Sequence, residues 1–145
     1  MDFKEGEVLY FNKPLNWTSF DVVNKVRYSI QQTFGIKKLK VGHAGTLDPL
    51  ATGVLILCTG KSTILIESFQ YQTKEYIATL KLVATTPSFD MEHPDDAVYP
   101  TDHITTELVE QIISTFTGEI WPIPPVYSAL KIDGKRAYDY PTNGK

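Results

Sequence analysis

The chain carries a single cysteine, Cys58, so no disulfide framework can form within it. Set in an apolar run, that thiol reads as a small buried hydrophobe, and the composition fits a reducing, cytoplasmic setting. No apolar run approaches the roughly 20 residues a bilayer-crossing helix needs, so no membrane association is expected. The first residues, Met1 to Glu7, are acidic and lack an apolar core, which does not fit a secretory signal. A basic excess is also missing, and the net charge of −3 excludes a uniformly basic nucleic-acid coat. The spacing of His93 and His103 matches no zinc pattern, so no metal is expected. Internal repeats, low-complexity tracts and interdomain linkers are absent as well.

What remains is an ordinary globular composition. The 145 residues are 42% hydrophobic and 21% charged, one domain's worth of chain. Such a length buries about 68–70% of its unfolded surface. The charge is unevenly spread. Residues 1–81 hold ten Lys/Arg against seven Asp/Glu, and residues 82–145 hold four against ten. Lys13, Lys25, Arg27, Lys37, Lys38, Lys40 and Lys61 surround the middle of the first part. A local basic patch of this kind attracts phosphates even on an acidic chain, although a merely solvated face has the same composition.

Periodicity outlines the elements. Glu7–Phe11 reads as a short strand, followed by a turn rich in Asn and Pro over residues 12–19. Thr18 and Asp21 have capping-box spacing, and a helix is expected to about Phe34, with Val22, Val23, Val26, Ile30 and Phe34 as its core stripe and Gly35 as its stop. Val54–Thr59 is a fully apolar strand. Gly60-Lys61-Ser62 resembles the end of a Walker A loop, but Leu55 stands where its first Gly is required, which rules out the phosphate cradle. A short helix is expected over Thr63–Phe69 instead. Lys74–Leu82 alternates like a strand, with Tyr76, Ala78, Leu80 and Leu82 on one face. Thr105–Thr117 reads as an amphipathic helix burying Leu108, Val109, Ile112, Ile113 and Phe116, and stopped by Gly118. Residues 124–140 read as two strands about an Asp133-Gly134 turn, with Lys131, Lys135 and Arg136 interleaved among Tyr127, Tyr138 and Tyr140.

The densest chemistry lies in Val41–Gly53, which places His43, Asp48 and three glycines, Gly42, Gly45 and Gly53, just before the apolar strand. Glycines let such a loop turn tightly, and Pro49 pushes Asp48 toward an extended conformation. A carboxylate on a stiff loop has the layout of a catalytic group, while the bland reading is a turn whose Asp caps a backbone N–H.

Gly42-His43-Ala44-Gly45-Thr46-Leu47-Asp48-Pro49-Leu50-Ala51-Thr52-Gly53 resembles the active-site signature of the TruB-type tRNA pseudouridine synthases, in register over all of these residues. Asn12-Lys13-Pro14-Leu15-Asn16-Trp17-Thr18-Ser19 is similar to the family's opening Asp-Lys-Pro-x-Gly-x-Thr-Ser, with Asn12 and Asn16 as departures. Asn tolerates left-handed backbone, so the turn at Asn16 is expected to survive. Pro124–Lys135 resembles a third motif, Pro-Pro-x-Tyr-Ser-Ala-x-Lys-x-x-Gly-Lys. Val83, Pro122 and Pro141-Thr142 depart from the family pattern where Gly, Gln and an Ala-Arg pair are usual.

The resemblance implies an α+β pseudouridine synthase fold, a mixed, largely antiparallel sheet with packed helices, of which residues 1–145 form the first half of the catalytic domain. A later Arg-bearing strand and a C-terminal RNA-binding extension are expected to be missing. It implies isomerisation of the T-loop uridine of tRNA, position 55, without cofactor, metal or protein partner, by a monomer. Asp48 is the implied catalytic nucleophile, His43 the wedge that holds the uridine out of its stack, and Tyr76 the face on which the base rests. Lys13, Gly45 and Lys131 are implied to contact RNA or support the loop. Two alternatives stand beside this: an RNA-binding fragment without turnover, and a hydrolase using His43 and Asp48. The hydrolase lacks a Gly-x-Ser-x-Gly elbow.

Overall fold

The structure, a computed structural model, describes residues 1–121 and the backbone of residues 131–132 and 135–136. The chain divides into two compact units, Met1–Ile77 and Ala78–Lys145.

In the first unit, strand β1 (Val8–Lys13) is followed by helix α1 (Ser19–Phe34), then strands β2 (Val41–His43) and β3 (Gly53–Thr59). A 3-10 segment, Gly60–Leu65, leads into the short helix α2 (Ile66–Gln70). The three strands form an antiparallel sheet in the order β1-β3-β2, with Lys13 opposite Gly53 and His43 opposite Leu57. The most apolar strand is thus the central one, with Leu55, Leu57, Cys58 and Thr59 buried and Val54 exposed near its start. Leu55 and Leu57 of β3 pack with Val22 and Val23 of α1, and Leu9, Phe11, Val26, Val41 and Leu47 close around them. Each of the four buried side chains, Val22, Val23, Leu55 and Leu57, contributes about 1.5–3 kcal/mol on burial. Phe3, Ile30 and Leu39 form a second cluster beside Leu9, Val26, Ile36 and Val41.

Helix α1 has the expected bounds for local reasons. The Thr18 hydroxyl accepts from the Asp21 N–H, and the Asp21 carboxylate accepts from the Thr18 N–H at 2.8 Å, a complete capping box. Gly35 ends the helix in the left-handed region at φ +65°. Phe34 departs from the expected core stripe: it is 57% exposed and rests edge-on against Phe3, ring centroids 5.1 Å apart. At the last turn of α1 its ring partner is Phe3 of the N-terminal segment.

Gly60-Lys61-Ser62 has a structural use. Gly60 sits at φ +51°, where a Cβ would run into the Lys4 carbonyl, and its N–H donates to the Lys40 carbonyl at 2.9 Å. The glycine lets the end of β3 pass against the N-terminal segment.

The strand expected over Lys74–Leu82 does not form. Residues 73–81 have no ladder partner among the described residues, and Leu82 and Val83 enter a turn. Alternation sets which side chains share a face, but a strand exists only where a neighbour takes its N–H and C=O groups.

In the second unit, β4 (Ala84–Thr85) pairs antiparallel with β5 (Ala97–Val98). Helix α3 (Thr106–Ser114) begins at Thr105, whose hydroxyl accepts from the Leu108 N–H. It stops short of Gly118, because the Ser114 and Thr115 hydroxyls donate to the carbonyls of Gln111 and Ile112 and close the last turn. The face expected to be buried is not: Leu108 and Val109 are half-buried, and Ile112, Ile113 and Phe116 are exposed. An apolar stripe needs an opposing layer, and among the described residues of this unit none covers it. Strands β6 (Lys131–Ile132) and β7 (Lys135–Arg136) pair antiparallel on either side of Asp133-Gly134. The Lys131 side chain, Pro122, Tyr127, Tyr138, Tyr140 and Pro141-Thr142 lie outside the described residues. The architecture is α+β, with antiparallel sheets and a few helices.

Candidate active site

The connection from β2 to β3, residues 44–52, carries Asp48, and nearly every backbone group around that residue is tied down. The Ala44 N–H continues the ladder by donating to the Ile56 carbonyl at 2.9 Å. Gly45 follows at φ +121°, a conformation that favours glycine, and its carbonyl accepts from His43 Nδ1 at 2.6 Å. Because a carbonyl only accepts, His43 Nδ1 carries a proton and donates it to Gly45.

Leu47 anchors the loop twice. Its side chain joins the α1–β3 core, and its N–H and carbonyl are both engaged by the Ser19 hydroxyl, at 2.9 and 3.3 Å. On the other side of Asp48, the Pro49 carbonyl accepts from the Asn16 N–H at 2.8 Å and from Lys13 Nζ at 3.4 Å. The Ala51 N–H donates to the Asp48 carbonyl at 3.0 Å, closing a turn with Pro49 in its second position.

Lys13 is the most deeply buried of the charged groups described, with no exposed surface. Its ammonium donates to the carbonyls of Pro14 at 2.9 Å and Trp17 at 2.6 Å as well as to Pro49. All three ammonium protons therefore have an acceptor, which is what a buried charge requires. Lys13 thus belongs to the support of the loop and is not among the solvated lysines. Asn16 holds φ +65°, so the left-handed turn survives with Asn in place of Gly.

The Asp48 side chain is exposed, and among the described residues no hydrogen bond or ion pair engages its carboxylate. Among the described residues it caps no backbone N–H. By contrast, Thr18 holds the Asp21 carboxyl below the usual carboxylate range, first through its hydroxyl and then through its N–H.

Tyr76 is not part of this cluster. It is 70% exposed on the unpaired segment after α2, with no hydrogen bond to the loop. Two shallow depressions of about 570 and 390 Å³ flank the unit, the first floored by Val41, Gly42 and Ile66, the second bordered by Asn16, Trp17 and Lys25. Neither is lined by Asp48 or His43. Among the described residues no three His, Cys, Asp or Glu side chains converge as metal ligands. In the second unit, Ser88 donates to Asp90 at 2.6 Å, and Ser88 and His93 Nδ1 are 3.0 Å apart. The single hydroxyl proton is committed to the carboxylate, so His93 is the donor in that pair and does not act as a base on Ser88. The Asp90 carboxyl is held low chiefly by that hydroxyl and then by the Glu92 N–H.

Ser19 and the Asn16 N–H escaped the sequence reading. Ser19 stands inside the opening motif, but a hydroxyl at the first position of a helix reads as part of the cap.

An uncommitted carboxylate, displayed from a loop whose backbone is fixed on both sides, is the arrangement that nucleophilic or charge-stabilising carboxylate chemistry requires. Residues 31–145 match the TruB family pseudouridylate synthase (N terminal domain), and the chain belongs to that family. It is 69% identical, over its whole length, to "tRNA pseudouridine synthase B" of Phocaeicola vulgatus, covering 62% of that relative. It is 66% identical over its whole length to the protein of the same name from Parabacteroides distasonis, covering 62% of it. It is also 48% identical to the one from Flavobacterium johnsoniae over 99% of the chain and 63% of the relative. The chain therefore spans a little over three-fifths of the length of these relatives.

Proposed function

We propose that this chain is the N-terminal portion of the catalytic domain of a tRNA pseudouridine synthase, converting the T-loop uridine at position 55, with Asp48 as the reacting carboxylate. The observation that carries the reading is the state of Asp48: exposed, without a partner among the described residues, and mounted on a loop held at Leu47 and Pro49.

The reaction breaks the C1′–N1 glycosidic bond, turns the uracil and joins C1′ to C5. The C5 proton is then lost and N1 gains one, so atoms and electrons balance within the nucleotide apart from this proton exchange. Asp48 attacks C1′ or balances the positive charge that develops on the sugar, as carboxylates do in glycoside chemistry. A second carboxylate is not needed, because the detached base stays bound and becomes the acceptor. Swinging the uridine out of its stack costs a few kcal/mol. His43, with Nδ1 occupied by Gly45, presents the rest of its ring to the gap, and Tyr76 offers a face worth about 1–3 kcal/mol in stacking. In this reading Tyr76 approaches Asp48 only when RNA is bound. The exposed Lys25, Lys37, Lys38 and Lys40 supply positive charge for the phosphates.

The exposure of Tyr76 also favours a second reading, an RNA-binding fragment without turnover. Incubating the chain with a T-loop hairpin and measuring both retention and pseudouridine separates the two. Conversion that disappears in Asp48→Asn supports the isomerase, and retention without conversion supports the fragment. Undiminished product from Asp48→Asn removes the mechanism.

A further inference from the structure

The loop is gripped on both sides of Asp48, and the two grips differ. Beyond Asp48, the Pro49 carbonyl has two donors, the Asn16 N–H and the Lys13 ammonium. Before Asp48, the polar connection is one hydroxyl. Ser19 Oγ accepts from the Leu47 N–H at 2.9 Å and donates to the Leu47 carbonyl at 3.3 Å. Ser19 is 2% exposed, so water does not compete for these bonds.

We propose that Ser19 is a positioning residue for Asp48, passing the rigidity of the α1–β3 core to the carboxylate. The inference rests on the reading of Asp48 as the reacting group. The Leu47 carbonyl belongs to the peptide unit that ends on the Asp48 Cα. Holding that carbonyl and the Leu47 N–H together fixes the peptide planes on both sides of Leu47. Pro49 restricts Asp48 from the other side. Little backbone freedom is then left to the carboxylate, and Ser19 itself is immobile, since it opens a helix whose Val22 and Val23 pack on Leu55 and Leu57. Helix capping does not account for this hydroxyl. The cap is made by Thr18 and Asp21, and both polar bonds of Ser19 Oγ go to a residue 28 positions later.

The test compares wild type, Ser19→Ala and Ser19→Thr, using steady-state conversion of a T-loop hairpin and residue-resolved amide exchange. Ser19→Ala is expected to lose roughly a hundredfold in kcat with KM held, as a small misplacement of a reacting group does. The Leu47 amide loses protection while those of Leu55 and Leu57 keep theirs, and Ser19→Thr, which retains the hydroxyl, recovers both readouts. Wild-type turnover by Ser19→Ala overturns the proposal, as does a loss of rate with the Leu47 amide still protected. A wild-type chain that makes no pseudouridine defeats the proposed activity instead. The clamp is then judged by exchange alone, and a Leu47 amide unprotected in wild type, or equally protected in Ser19→Ala, overturns it.

Discussion

The ammonium of Lys13, at the end of β1, donates to the carbonyl of Pro49, the residue after Asp48, across 36 positions of sequence. Together with its bonds to Pro14 and Trp17, this makes a fully buried charge one tie, beside the Asn16 N–H, between the opening turn and the Asp48 loop. Lys13→Met is expected to leave the Pro14 and Trp17 carbonyls without this donor and to destabilise the chain by about 1–3 kcal/mol. Lys13→Arg is expected to fail as well, because a planar fork does not match three carbonyls arranged around a point charge. Denaturant unfolding of both variants measures this, and wild-type midpoints would show that the buried ammonium is dispensable.

Gly60→Ala probes the contact between the end of β3 and the N-terminal segment. A Cβ there meets the Lys4 carbonyl, at a φ of +51° that L residues adopt only under strain. A loss of more than about 1 kcal/mol is expected. Gly35→Ala, at a similar φ of +65° but with open space around the added carbon, serves as the comparison and should cost less.

Cys58 has no exposed surface, and burial raises its thiol above the ordinary value of 9.0. Below that value its ionisation does not affect stability. Above it the unfolded chain ionises first, so stability falls as pH rises toward the folded value. The native thiol is expected to react with a maleimide only through unfolding, with a rate that denaturant increases. Rapid labelling of the native chain at neutral pH contradicts this.

The capping box carries its own pH signature. Asp21 is held below its ordinary 3.8 by the Thr18 hydroxyl and N–H, so its contribution is fully present above 3.8 and is lost as pH falls through the lowered folded value. Thr18→Ala is expected to cost about 0.5–2 kcal/mol near neutral pH and to flatten the acid limb of the stability curve. An unchanged acid limb would mean that the box is not formed in solution.

Much of the first unit was legible because its causes are local. Thr18 and Asp21 start α1 and Gly35 ends it within a few residues of one another, and Asn16 tolerates its turn by its own backbone preference. The run from Val54 to Thr59 announces a strand, and the structure buries Leu55, Leu57, Cys58 and Thr59 of it while Val54 stays exposed. The identity of the Asp48 loop was legible as a pattern of residues, and the resemblance also implied Lys13 as a support, but neither the atoms it bonds nor the Ser19 contact was legible. Composition alone makes Lys13 a surface lysine, and only the resemblance of its motif pointed to the loop, while Ser19 reads as part of a cap. Their partners lie 36 and 28 positions away, beyond the reach of any periodicity.

The amino-acid order alone determined the family, the first helix, the central strand and the candidate carboxylate, since each depends on residue types at short and regular spacing. Tertiary structure decided which groups hold that carboxylate's loop, and which apolar stripes find cover. Lys74–Leu82 and the apolar face of α3 carry the right periodicity for burial, yet a hydrogen-bonding neighbour or an opposing layer comes only from distant chain. A pattern states which face a residue takes, and packing alone supplies what lies against it.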